Sequence, residues 1–135
     1  MSKVKEVISC GLFKEIMEDN NIDSGYELEL CENSNSIKYW VIENPKYQST
    51  SCYINIHELA IKIVDKMITL GYVASLTKIK QHWWCEFATE NYYKNNGIMS
   101  HGSGDGSRDI DTKSDDVLSC AVKAYGWILE NKGRN

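Results

Sequence analysis

Nothing in this sequence approaches the run of about 18 apolar residues that a membrane-spanning helix needs, because charge interrupts every hydrophobic stretch. Near the N-terminus Lys5, Glu6, Lys14 and Glu15 break up any signal-peptide core, so neither a membrane segment nor export is expected. Arginine occurs only as Arg108 and Arg134, and the formal net charge of −4 argues against a broad surface for nucleic-acid polymers. Lys62 and Lys66 on one helix, with Lys78 and Lys80 in a following strand, read as solvated surface. The cysteines, Cys10, Cys31, Cys52, Cys85 and Cys120, are odd in number and lie far apart, with neither CxxC nor a His/Cys spacing suited to zinc. They read as reduced, mostly buried packing residues. The lack of an N-x-S/T sequon agrees with a cytoplasmic protein.

What is present suits a globular chain. With 135 residues, 42% hydrophobic and 25% charged, one domain over 1–135 can bury its own core. Val4, Val7, Ile8, Leu12 and Ile16 recur at helical spacing over 3–19, across Gly11. Tyr26, Leu28 and Leu30 alternate with glutamates, and residues 37–43 are β-branched and aromatic, so two strands follow around a polar loop at 32–36. Asn44-Pro45 breaks the second, and KYQSTSCY reads as irregular. Ile56, Leu59, Ala60, Ile63, Met67 and Leu70 form one stripe of a helix over 55–70, with Asn55 as N-cap, Glu58 as capping-box partner and Gly71 as stop. Residues 72–79 and 82–89 form an antiparallel hairpin. Residues 90–113, rich in Gly, Asn, Asp and Ser, read as one long loop, functional or disordered. A last helix begins near Ser114, with Val117, Ala121, Ala124, Tyr125 and Ile128 as its buried stripe. The expected class is α+β, in the order α-β-β-α-β-β-α, with a four-stranded, mainly antiparallel sheet covered by helices.

From Asn44 to Tyr72, and on through Trp84, Glu86 and Phe87 to AVKAYGWI at the end, the chain resembles the small phage ABA sandwich domain proteins. The likeness rests on the entry to the central helix, its Gly-Tyr exit, a Trp-containing strand and an alanine-rich final helix. It differs in its one-residue-longer entry, Tyr47-Gln48-Ser49-Thr50, and in its enlarged glycine loop. The resemblance implies an α-β-α sandwich and a phage or prophage origin, hence host cytoplasm, and it names no reaction.

Candidate chemistry is sparse. Residues 100–109, SHGSGDGSRD, match neither GxGxxG nor a P-loop. Gly104 and Gly106 let successive backbone N–H groups form an anion nest, to which Arg108 adds a fork of donors and His101 a further polar group. The bland alternative is a flexible surface loop. Asp105, Asp109 and Asp111, with Asp115 and Asp116, fail the EF-hand spacing and read as loop-solvating and helix-capping rather than metal-binding. His57, His82 and His101 are dispersed without GxSxG or another nucleophile motif, so no catalytic residues and no cofactor are assigned, and a hydrolase ranks last. Trp40, Trp83, Trp84 and Trp127 are more readily core than platform, with Trp83 and Trp84 on opposite faces of their strand. The leading expectation is a noncatalytic phage accessory protein that sequesters a small nucleotide-like ligand, possibly a host defence signal, as a homo-oligomer. Arg108 and the glycine loop would hold phosphate, and Trp84, Tyr92 or Tyr93 would stack on a base. The alternative is a protein-interaction module that engages a host or phage protein through exposed aromatics.

Overall fold

The computed structural model describes residues 8–17, 28–31, 35–43, 48–96 and 110–131. In chain order these form α1 (Cys10–Met17), β1 (Glu29–Cys31), β2 (Ser36–Glu43), β3 (Gln48–Asn55), α2 (Ile56–Thr69), β4 (Tyr72–Ile79), β5 (His82–Thr89), α3 (Glu90–Asn96) and α4 (Val117–Asn131). The class is α+β, as expected. The single four-stranded sheet is not what forms: the strands make a three-stranded antiparallel sheet, β1-β2-β3, and a two-stranded one, β4-β5. The chain divides into two compact units, Met1–Leu59 and Ala60–Asn135, with the boundary inside α2. No helix among the described residues is long and apolar enough to cross a membrane.

In the first unit, the segment expected to be irregular supplies β3. It pairs with β2 along its whole length, from Ser36 opposite Asn55 to Glu43 opposite Gln48. Serine-rich residues have little strand preference of their own, and cross-strand pairing overrides it. Alternation places Ile37 and Tyr39 of β2 beside Ile54 of β3 on the buried face. Phe13 of α1 meets Tyr39 edge-on with centroids 5.1 Å apart, which lays that helix on the same face. Each such fully buried side chain contributes about 2–3 kcal/mol. The opposite face carries Tyr53, 58% exposed, and the cross-strand pair Lys38 and Glu29, 3.7 Å apart. Ser9 caps α1, its hydroxyl accepting from the Leu12 N–H at 3.1 Å. Asn55 caps α2 as expected, its side-chain oxygen accepting from the His57 N–H at 2.8 Å. Val4, Val7 and Tyr26, named in the sequence patterns, lie outside the described residues.

In the second unit the buried stripe of α2, Ala60, Ile63 and Met67, falls where the spacing puts it, continuing from Leu59. Leu70 does not join it and is 41% exposed. The helix ends at Thr69, with the Leu70 N–H still donating to the Lys66 carbonyl at 3.1 Å, and Gly71 takes φ 95° to close it, so Leu70 sits at the open end of the stripe. The hairpin matches its expected bounds residue for residue, from Tyr72 opposite Thr89 to Ile79 opposite His82. On one face, Phe87 packs between Tyr72, at 6.0 Å, and Trp127 of α4, at 5.5 Å. Residues 90–96, expected to belong to the long loop, are helical, and 97–109 lie outside the described residues. Thr89 caps this short α3 through the Tyr92 N–H at 3.2 Å, and Lys94 reaches Glu90 at 3.0 Å one turn away. α4 starts at Val117, after Asp116, whose carboxylate accepts from the Ser119 N–H at 2.7 Å. Its buried residues include all five expected and add Leu118 and Cys120.

Candidate functional site

β5 has β4 on one side, and on the other the segment 112–115. Trp83 and Ser114 exchange two backbone hydrogen bonds, at 2.7 and 2.9 Å. Two residues further along, the buried Thr112 hydroxyl donates to the Cys85 carbonyl at 3.0 Å and accepts from the Cys85 N–H at 3.3 Å. A side chain thus does there what a neighbouring backbone does in a sheet, and the outer edge of β5 is closed by a strap. The same antiparallel register, carried one residue either way, sets Lys113 beside Trp84 and Asp115 beside His82. The side chains agree: the Lys113 ammonium stands 5.9 Å from the Trp84 ring centre, and the Asp115 carboxylate is 3.0 Å from His82 Nδ1.

Trp84 is half-buried on the sheet face opposite Phe87 and Cys85, so it is neither full core nor a bare plate. Trp83, on the other face, is also half-buried, with the Lys78 ammonium 5.7 Å from its ring. Around Trp84 the chain sets exposed carboxylates. Glu86 lies two residues along the same face, and Asp111 accepts the Lys113 N–H at 2.9 Å. Asp115 completes the group beside His82. Glu86, Asp111 and Asp115 thus stand against Lys113 and against Lys123, whose ammonium donates to the Lys113 carbonyl at 3.2 Å, which leaves the strap and this face with one more carboxylate than lysine.

Of the residues assigned to ligand binding, Trp84, Tyr92 and Tyr93 are described. Tyr92 and Tyr93 lie on α3, at the far end of β5 from Trp84; five residues of strand, about 16 Å at ordinary rise, separate Trp84 from Thr89. Tyr93 is 40% exposed and Tyr92 half-buried. His101, Gly104, Gly106 and Arg108 lie outside the described residues, as do Asp105, Asp109 and the Trp40 side chain.

The thiols of the second unit are chemically quiet. Burial, reinforced by neighbouring Cys120 and Glu86, pushes the Cys85 thiol up to about 12. Burial and then Asp116 push Cys120 up to about 12 as well. Both stay protonated near neutral pH and are poor nucleophiles. Cys31 and Cys52 are half-buried, and the Cys10 side chain lies outside the described residues. Among the described residues no group of three or more His, Cys, Asp or Glu side chains could hold a metal ion.

One surface was missed by the sequence patterns. Ile61 and Ile68 on α2 are 55% and 52% exposed, and half-buried Val64 lies between them. At about 100° per residue these three fall within about 60° of one another, an apolar seam distinct from the buried stripe. Their three-and-four spacing is legible in IKIVDKMI once the stronger stripe through Ile63 and Met67 is set aside. Comparison with known protein families, with curated proteins and with solved structures gives no match to this chain.

Proposed function

We propose that the protein is a noncatalytic interaction module that engages another polypeptide chain, and that the α2 seam is its principal contact. The observation that carries this reading is the run of Ile61, Val64 and Ile68 along one line of a helix whose other apolar stripe is already buried. Single exposed hydrophobics need no explanation, but an ordered line of them at helical spacing is the pattern an amphipathic partner reads. A phage origin, which the resemblance implies, is compatible with a small binding protein of this kind.

Native mass spectrometry of protein purified from bacterial cells tests the proposal. A bound polypeptide is expected, either a host or phage protein or a second copy of this chain; a bare monomer contradicts it.

The second reading is sequestration of a nucleotide-like ligand, and one observation favours it. The glycine-rich stretch rejoins the described chain at Ile110, two residues after Arg108, and the strap that follows sets Lys113 over the half-buried Trp84. An indole face with a cation beside it suits a base and its phosphate. The carboxylates around Trp84 work against that use, so the reading rests for phosphate on Arg108 and the glycine-rich stretch, which lie outside the described residues. Release of a nucleotide, with no polypeptide, from the denatured native complex would establish this reading over the first.

A further inference from the structure

We infer that the sheet face around Trp84 receives a basic side chain, arginine or lysine, from a polypeptide partner; this rests on the interaction role proposed above and names a second point of contact. The aromatic ring and the carboxylates argue jointly. An indole face attracts a cation through its quadrupole, and here an ammonium, that of Lys113, already stands 5.9 Å from the ring centre. That ammonium belongs to an exposed, flexible side chain on the strap, so an incoming cation can displace it into water.

Carboxylates lie on both sides of the ring. Glu86 is exposed two residues further along the same strand face. Asp115 is exposed beside His82, two residues back. Asp111 adjoins Lys113 through its backbone N–H, at 2.9 Å. Asp111 and Asp115 keep acceptor sites beyond their bonds to Lys113 and His82, because an ionised carboxylate offers about four lone pairs. A guanidinium stacked on Trp84 places its N–H fork within the reach of such groups, whereas a phosphate there meets three like charges against the two ammonium groups of Lys113 and Lys123. Thr112 and the Trp83–Ser114 pair hold the strap to β5, which keeps the arrangement in register before any partner arrives.

The test is fluorescence anisotropy of a labelled Arg-Ser-Arg-Ser-Arg peptide titrated with the full chain at low salt, with ATP measured alongside. The peptide is expected to bind, Glu86→Gln to weaken it about threefold, and Trp84→Ala to weaken it about tenfold. Lys113→Ala is expected to strengthen peptide binding about threefold, since it removes both the internal competitor and a repelling charge. A weakening by Lys113→Ala, or ATP binding in place of the peptide, would overturn the assignment and favour the nucleotide reading. Peptide binding indifferent to both Glu86→Gln and Trp84→Ala would also overturn it. Because Glu86 and Lys113 are exposed, their variants keep the test valid even if Trp84→Ala fails to fold. Failure here, with a polypeptide still held through the α2 seam, removes only this second contact; loss of the polypeptide removes the interaction role itself.

Discussion

Lys80 adopts φ 58° in the two-residue turn between β4 and β5. Hairpin turns of this length need a positive φ at their first position, where glycine sits without penalty and a lysine side chain is strained by about 1 kcal/mol. Lys80→Gly is therefore expected to raise stability by about 0.5–1 kcal/mol, read as a higher urea midpoint with unchanged slope. A lower midpoint would show that the lysine side chain contributes more than its backbone costs. The buried thiols give a second residue-scale prediction. Cys85 and Cys120 ionise near 12 in the folded protein against a reference of 9.0. Above pH 9 the unfolded chain loses thiol protons that the folded chain keeps, so stability is expected to be insensitive to these groups below pH 9 and to fall between pH 9 and 12. Urea titrations from pH 8 to 10.5 on wild type and on a Cys85→Ala, Cys120→Ala variant check this, the variant being expected to lose less stability as pH rises.

Among the elements, those with local signals were legible and those built by distant pairing were not. α2 and the β4-β5 hairpin follow from spacing, from the Asn55 cap and from the Gly71 stop, all set by residues within a few positions of one another. β3 is different: Gln48–Asn55 looks irregular by composition, and only its register with β2 makes it a strand. The strap is a stronger case, since Thr112 and Cys85 are 27 positions apart and no local pattern joins them. Trp84 was legible as a candidate platform, but its setting among Glu86, Lys113, Asp111 and Asp115 depends on that distant pairing. The seam on α2 was written in the sequence yet masked by the stronger stripe beside it. Removing the Thr112 hydroxyl tests the strap: Thr112→Val leaves the Cys85 N–H and carbonyl without this buried partner and is expected to cost about 1–3 kcal/mol, while Thr112→Ser, which keeps the hydroxyl, costs less. A loss in Thr112→Ser with none in Thr112→Val would mean that the methyl group, not the hydroxyl, holds the segment.

For the molecule as a whole, the chain divides into two compact α+β units, each with its own sheet, where the order of elements suggested one four-stranded sheet. Its buried thiols Cys85 and Cys120 stay protonated near neutral pH, and an exposed apolar seam runs along α2. The measurement closest to the central claim is a comparison of wild type with Ile61→Asp, Ile68→Asp in native mass spectrometry, with thermal unfolding alongside. Both side chains are more than half exposed, so the double variant is expected to unfold within a few degrees of wild type. The account predicts that wild type carries a bound polypeptide and that the double variant has lost it. A variant that unfolds normally and still carries the same polypeptide would contradict the claim that α2 makes the contact.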